Sequence, residues 1–177
     1  MSQDSNLTPR NITYRQMINT FSKIAKYHKN INSFHSGQLD DVDIDKKNLS
    51  EFPLMYVEPE PVSVDAQTMT YSFTVIIADQ LNEDASEARV NYPDLTTTDD
   101  AYTETLLILK DVIANFRQSL QTGSYADQRT SLSMPLSLSP FTSRFANLLT
   151  GWAGTFNIVC QNENDLCSVP QTMSGGQ

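Results

Sequence analysis

The chain has 177 residues and a formal net charge of −9; 39% of its residues are hydrophobic and 19% are charged. This is the composition of one globular domain rather than of a disordered chain. Because like charges repel, so acidic a chain is not expected to hold nucleic acid through its phosphates. No apolar run approaches the roughly 20 residues of a transmembrane helix, and the polar start lacks a signal-peptide core, so we expect a cytosolic origin and no membrane partner.

A first helix is predicted to begin after Thr13, which forms a capping-box pattern with Gln16. Apolar residues recur at steps of three and four and give this helix one apolar stripe. We expect the helix to end near Asn30, with His28 as a boundary residue at its C-terminus rather than a ligand. The stripe consists of Tyr14, Met17, Ile18, Phe21, Ile24 and Ala25.

An acidic loop follows, with four aspartates and two lysines: Asp40, Asp41, Asp43, Asp45, Lys46 and Lys47. An EF-hand calcium loop beginning at Asp41 needs a glycine at its sixth position and a glutamate at its twelfth. The chain has Lys46 and Phe52 there, so calcium is disfavoured and we assign no metal site. Carboxylate pairs for glycoside hydrolysis exist in the loop, but only Phe34 offers a sugar platform nearby. A solvated loop is the simplest alternative, since charge runs are usually solvated.

Two strands are predicted next. The stretch "FPLMYVEPEP" indicates a strand of about six residues closed by prolines. The stretch "TMTYSFTVIIADQ" is the clearest strand in the chain, and the connection over 80–97 is polar and predicted to be mobile. Alternation along the second strand places Tyr71, Phe73, Val75 and Ile77 on one face and Ser72, Thr74 and Ile76 on the other.

A second helix of about 24 residues is predicted to start near Thr97 or Thr98 and to stop at Gly123. Asp99 and Asp100 lie in its first turn, where the helix dipole favours negative charge. We expect its apolar seam to pack onto the sheet. That seam consists of Tyr102, Leu106, Leu109, Ile113, Phe116 and Leu120.

The last part of the domain is predicted to contain two strands. In "TSLSMPLSLSPF", the residues Leu132, Met134, Leu136 and Leu138 alternate with small polar residues. Pro135 cannot donate to a strand ladder, so we expect a sheet edge or a subunit interface here. The stretch "GWAGTFNIVCQ" predicts the final strand, with Trp152, Phe156, Ile158 and Cys160 on one face.

The order helix, strand, strand, helix, strand, strand predicts an α+β fold. We expect a mostly antiparallel four-stranded sheet packed by two long helices, as a single domain over 12–161. Residues 1–11 are predicted to be a flexible N-terminus, and 162–177 a polar C-terminal tail that orders only against a neighbour.

The sequence matches none of the common catalytic motifs. The chain has no G-x-S-x-G elbow, H-E-x-x-H pair, P-loop or G-x-G-x-x-G turn. His35 beside Ser36 is the only base near a nucleophile, and adjacent residues seldom face each other usefully. Cys160 is expected in the core and Cys167 as a free thiol. We therefore predict no catalytic residue, no cofactor and a protein that works by interaction.

The succession from "TYRQMINTFSKIAKYHKNINSFHSGQLDDVDI" through "FPLMYVEPEP" and "MTYSFTVIIADQ" to "TETLLILKDVIANFRQSL" resembles structural proteins of tailed bacteriophages. The resemblance is to tail-completion, tail-terminator and neck (head–tail joining) proteins, and it covers about Tyr14 to Gln161. It implies a virion protein, assembled in the host cytoplasm, that forms a homo-oligomeric ring around the DNA channel. It also implies a hexamer, or a dodecamer as the alternative, with portal, neck or tail-tube proteins as neighbours.

In such a ring the acidic loop would line the channel or contact an adjacent ring, and DNA would pass without specific binding. Lys46 and Lys47 would then pair with a neighbouring subunit. The alternative function is a cytosolic, non-enzymatic binding or assembly adaptor, and an enzyme of unknown type is the residual possibility.

Overall fold

The protein is described from a computed structural model over residues 12–38, 51–80, 97–122, 129–144 and 149–161. These ranges contain two helices and seven strands. In chain order they are α1 (Tyr14–Tyr27), β1 (Ser33–Ser36), β2 (Leu54–Pro59), β3 (Ser63–Val64), β4 (Thr68–Gln80), α2 (Thr97–Gln121), β5 (Ser131–Leu132), β6 (Leu138–Arg144) and β7 (Leu149–Gln161).

All seven strands form one mixed sheet with β4 and β7 at its centre. Every residue of β4 has an antiparallel partner in β7, from the Thr68–Gln161 pair to the Gln80–Leu149 pair. β2 and β3 lie end to end along the other side of β4, and β5 and β6 lie end to end along the other side of β7. β1 pairs in parallel with β2 and forms the outer edge there.

Both helices pack on one face of this sheet around Phe21 of α1. The ring of Phe21 stacks on Phe116 of α2 at 4.2 Å between centroids and meets Phe73 and Phe156 of the sheet edge-on at 5.7 and 5.6 Å. Aromatic pairs in these geometries contribute about 0.5–1.5 kcal/mol each beyond their burial. This cluster therefore ties both helices to the two central strands.

The opposite face of the sheet carries a second buried cluster that contains no helix residue. Its fully buried members include Tyr56 of β2 and Leu149 of β7. The cluster consists of Phe52, Leu54, Tyr56, Ala78, Phe141 and Leu149. Strands buried on both faces explain the near-continuous apolar run "PLMYV" of β2, which does not alternate.

The start of α1 has the predicted capping box. Thr13 Oγ1 accepts the Gln16 N–H at 3.3 Å, and Gln16 Oε1 accepts the Thr13 N–H at 2.7 Å. The helix ends earlier than expected, at Tyr27, where His28 caps it by donating its N–H to the carbonyls of Ile24 and Ala25.

The fold class predicted from the sequence is wrong. The sheet has seven strands rather than four and contains a parallel pair, and α1 has only 14 residues against 25 in α2. The missed strands β1 and β3 have four and two residues, which is too short for alternation to show, and one predicted strand is divided into β5 and β6. They are strands because neighbouring strands pair with them.

Two finer predictions also need correction. The single strand expected over Leu132 to Leu138 is interrupted, since β5 ends at Leu132 and β6 begins at Leu138. The seam of α2 is rotated, because Thr105, Ile108 and Val112 are buried whereas the predicted seam residues Tyr102, Leu106 and Ile113 are only half-buried.

Candidate interaction surfaces

The acidic loop lies outside the described residues, so Asp40, Asp41, Asp43, Asp45, Lys46 and Lys47 remain a prediction from the sequence. The same holds for the N-terminus over 1–11, the tail over 162–177 and all but the two end residues of the connection over 80–97, whose predicted mobility remains a prediction.

The four residues predicted to form a subunit-interface strand have different environments. Leu132 is buried in the helix-side core, and Leu136 and Leu138 pack half-buried against that core. Met134 alone is exposed, at 49% of its surface. The interface remains a prediction, but three of its four side chains already pack within their own subunit.

His28 joins the end of α1 to the middle of α2. Its Nε2 lies 3.5 Å from Asp111 Oδ2, and its Nδ1 accepts the N–H of Asn30 at 3.2 Å. Both ring nitrogens therefore have partners, and neither has a lone pair ready to act as a general base. This polar contact, the clasp of His28 and Asp111, links the two helices and is structural.

His35 and Ser36 do not form a nucleophile–base pair. They are consecutive residues of β1, so their side chains point to opposite faces of the sheet. His35 Nε2 instead lies 3.9 Å from Glu51 Oε2. Ser36 is exposed at the edge strand.

Cys160 is buried in the core, as the alternation of the final strand predicts. Burial raises the pKa of its thiol to about 11, because the thiolate would lose its hydration. The thiolate is the nucleophilic form, so Cys160 is inert at neutral pH.

Asp79 lies at the end of β4, within reach of the charge of Glu104 on α2. Burial, with a smaller contribution from the negative charge of Glu104, raises the pKa of Asp79, although the N–H of Gln80 partly offsets this by donating to it. Nowhere in the described ranges do three His, Cys, Asp or Glu side chains come together to hold a metal ion. Two acidic groups alone do not make a site.

The hairpin of β3 and β4 carries an apolar surface that the sequence analysis did not identify. Pro59 of β2 pairs with Phe73 of β4, and Ser63 of β3 pairs with Thr70 of β4. Between these two pairs the chain advances four residues from Pro59 to Ser63 but only three along β4. The extra residue is a bulge, and it reverses the facing of every side chain that follows. Val64 therefore lies opposite Met69 on the helix side of the sheet.

We call this surface the hairpin face. Val64 of this face is 66% exposed. Tyr14 is also exposed, and its ring lies 5.7 Å from that of Phe73, two positions along β4 from Tyr71. Burial raises the pKa of the half-buried Tyr71. The hairpin face consists of Tyr14, Val64, Met69 and Tyr71.

A second surface lies between the C-terminal part of α1 and the middle of α2. It is a groove with a cavity of about 350 Å³, next to the clasp of His28 and Asp111. Tyr27 stands on its rim with 79% of its surface exposed. This helix groove is lined by Lys23, Ile24, Tyr27, His28, Asn115 and Ser119.

Sequence reasoning had partial signals for both surfaces. The stretch "PVSVDA" places Val62 and Val64 at alternate positions beside polar residues, but only the bulge decides the side on which Val64 lies. Lys23 and Tyr27 belong to the same helix turn, whereas Asn115 and Ser119 come from a helix about 90 residues later. No local pattern links them.

A scan against models of known protein families finds no match, and a search of curated protein sequences finds no similar protein either. Among the described residues, neither helix is long and apolar enough to cross a membrane. The two exposed surfaces are therefore the observations from which a function is argued.

Proposed function

We propose that the chain is a structural subunit of a tailed bacteriophage, which assembles into a homo-oligomeric ring at the head–tail junction around the DNA channel. The protein class follows from the order of sequence segments that resembles tail-completion, tail-terminator and neck proteins. The observation that carries the proposal is the hairpin face, an exposed apolar surface at one end of the central strand pair β4 and β7.

Exposed apolar side chains that lie next to one another favour association, because removing them from water releases free energy in proportion to the area covered. Val64 and Tyr14 on this face are exposed in the single subunit. Tyrosine and methionine, which the face also contains, are residue types enriched at protein interfaces. Val64, Met69 and Tyr71 of this face lie on paired strands, so little ordering entropy is lost when a partner covers them.

The charge of the chain is consistent with a channel wall. A net charge of −9 repels phosphate, so DNA would pass such a ring without binding specifically. In this proposal the acidic loop faces the channel or an adjacent ring, the neighbours are portal, neck or tail-tube proteins, and the ring is a hexamer or a dodecamer. Assembly takes place in the host cytoplasm, and the finished ring is part of the virion.

Mass spectrometry of purified tailed particles from the source of the sequence, combined with a cryo-EM map of the head–tail junction, tests the proposal. We expect the chain in the particles and its fold in a ring at the junction. Its absence from the particles would refute the proposal. A purified chain that stays monomeric or dimeric by light scattering and is missing from particles would favour the cytosolic adaptor instead.

A further inference from the structure

We propose that the C-terminal tail over 162–177 folds back onto the hairpin face of its own chain and covers it with Leu166, Cys167 and Val169. Such a contact is autoinhibitory, because a face covered by its own tail is closed to other subunits. It deepens the proposed function, on which its role as a brake on ring assembly rests. The contact itself is argued from where the tail leaves the sheet, how far it reaches and what it contains.

The hairpin face extends along the sheet beyond the point where α1 meets it. Tyr14, the first residue of α1, has its ring 5.7 Å from that of Phe73. Met69 lies four residues closer to the hairpin turn, which is roughly 13 Å further along β4 at about 3.3 Å per residue. Val64 lies opposite Met69 and is 66% exposed. Contiguous exposed apolar side chains of this kind mark a surface that a further segment or partner covers.

The last strand brings the tail to this surface. β7 ends at Gln161, which pairs with Thr68 at the start of β4. The preceding residue, Cys160, pairs with Met69, and Met69 pairs on its other side with Val64. These three residues form one row across β7, β4 and β3, with their side chains on the same side of the sheet. The tail therefore leaves the sheet two strand spacings from β3, which is roughly 10 Å.

The apolar residues of the tail are close enough along the chain to reach the face. An extended chain spans about 3.3–3.6 Å per residue, so Leu166 can lie up to roughly 17 Å from Gln161, and Val169 up to roughly 27 Å. Both reaches exceed the crossing to β3 and leave residues for a turn. The end of the sheet also has an open recess, a cavity of about 430 Å³ that joins the hairpin turn to the end of β7. It is lined by Gln67, Thr68, Arg129, Val159, Cys160 and Gln161.

Composition favours the C-terminal tail over the N-terminal segment as the occupant. In the stretch "DLCSVP", the apolar residues Leu166, Cys167 and Val169 lie within four positions. Residues 2–11, which lead into α1 and so also approach Tyr14, contain Leu7 as their single hydrophobic residue. The free energy released on covering an apolar surface grows with the apolar area removed from water. A run of three apolar side chains therefore covers this face better than one leucine does.

Tethering favours the chain's own tail over a tail from another copy. A segment joined to its binding surface by a short linker has an effective concentration on the order of millimolar there. Free subunits at lower concentrations compete poorly with it. The apparent affinity of the hairpin face for another subunit is then reduced by the fraction of copies whose face is covered. The tail thus delays association until the neighbours in a growing ring displace it.

Crosslinking in the full-length chain tests the contact. Val64→Cys places a thiol on the hairpin face, and a short bismaleimide can join this thiol to the native Cys167. Cys160 does not compete, because burial raises the pKa of its thiol to about 11. Leu107→Cys is the matched control, since Leu107 is 54% exposed on α2 and lies outside the hairpin face. In the monomer fraction, we expect peptide mass spectrometry to find the link from position 64 to Cys167 at least about tenfold more often than the link from position 107.

Charged substitutions test whether the apolar residues of the tail make the contact. In the Val64→Cys background, Leu166→Asp with Val169→Asp should lower the yield of the link at least about tenfold, because a carboxylate is costly to bury. Gln171→Asp with Ser174→Asp adds the same charge outside the apolar stretch and should leave the yield unchanged. Without the added cysteine, Leu166→Asp with Val169→Asp should self-associate more strongly than the wild type in sedimentation velocity, because its hairpin face is uncovered. Unaltered far-UV circular dichroism verifies that each variant is folded.

Three results would overturn the contact. The first is equal linking of Val64→Cys and Leu107→Cys to Cys167. The second is a link from position 64 that occurs only in covalent dimers, which would assign the face to the tail of another copy. The third is a yield that the two pairs of aspartate substitutions change equally. If the link forms in monomers but Leu166→Asp with Val169→Asp associates no more than the wild type, the brake on assembly is refuted.

The contact and the phage function fail separately. If the chain is absent from tailed particles but the link forms in monomers, the phage function is wrong and the contact stands. If the chain forms a ring in virions but the free subunit gives no link, only the contact is wrong.

Discussion

Replacing Gly151 with alanine should strongly destabilise the fold. Gly151 lies in β7 between Ala78 of β4 and Phe141 of β6, where three strands run side by side. A Cβ at this position would lie 2.0 Å from the carbonyl oxygen of Ile77 and 3.1 Å from the Cα of Ala78. These are backbone atoms of the central strand pair, so no side-chain rotation relieves the overlap. Overpacking a core lowers the free energy of unfolding by about 1–3 kcal/mol. Since the clash here is with backbone atoms, we expect a loss of about 3 kcal/mol or more.

Gly154, three residues further along the same strand, is the matched control. An added Cβ there would lie 2.5 Å from Leu138 Cδ2, the end of a flexible side chain that can move. Rotating Leu138 costs about 0.5–1.5 kcal/mol. Alanine also has less conformational freedom than glycine in the unfolded chain, and this stabilises the folded state by about 0.4–1 kcal/mol. We therefore expect Gly154→Ala to change the free energy of unfolding by no more than about 1 kcal/mol in either direction.

Urea unfolding measures the difference, followed by far-UV circular dichroism and by fluorescence of Trp152, the only tryptophan. With a slope of about 1–3 kcal/mol per molar urea, a loss of 3 kcal/mol lowers the midpoint by about 1–3 M. Equal midpoints for Gly151→Ala and the wild type would refute the close approach of β4 and β7. A Gly154→Ala midpoint as low as that of Gly151→Ala would show that side-chain and backbone clashes cost the same here.

Four further positions and the acidic loop give testable outcomes. Because its pKa is raised to about 11, Cys160 should resist alkylation at pH 8 in the folded protein and react in urea, as peptide mass spectrometry would show; equal labelling in both states contradicts its burial. Because the pKa of Asp79 is raised, the folded state binds the proton of this carboxyl more tightly than the unfolded state does. The free energy of unfolding therefore falls as pH rises from the ordinary carboxyl pKa through the raised pKa of Asp79. Asp79→Asn should therefore stabilise the protein at pH 7 and lose that advantage below about pH 3.8, whereas a variant less stable at pH 7 would contradict the sign. Met134→Asp should change the free energy of unfolding by no more than about 0.5 kcal/mol, whereas Leu136→Asp should lower it, because of these two residues only Leu136 packs on the core. Loss of ring incorporation by Met134→Asp would support the predicted interface strand, and normal incorporation would count against it. Replacing the four aspartates over 40–45 with asparagine should give complete particles that eject DNA more slowly at low salt, and unchanged ejection at every salt concentration would remove the channel role.

The sequence by itself determined the elements whose signals are local. The capping box at Thr13 begins α1, because two side chains three residues apart satisfy each other's backbone N–H groups. The long alternating segment Thr68–Gln80 is β4 over its whole predicted length, since one face of it is apolar and continuous. The start of α2 at Thr97 and the buried face of β7 follow from patterns of the same kind.

Only the tertiary structure decided which segments pair and which way their side chains face. β1 pairs in parallel with β2 across an intervening connection, and a parallel partner leaves no mark in either strand's own sequence. The buried stripe of α2 passes through Ile108 and Val112 because α1 and the sheet meet it there, and both candidate seams have helical spacing. One extra residue between Pro59 and Ser63 turns Val64 to the helix side, and the groove joins side chains from two helices about 90 residues apart. Register and long-range contact depend on the free energy of the whole packed chain, and these are the properties from which both proposed interaction surfaces arise.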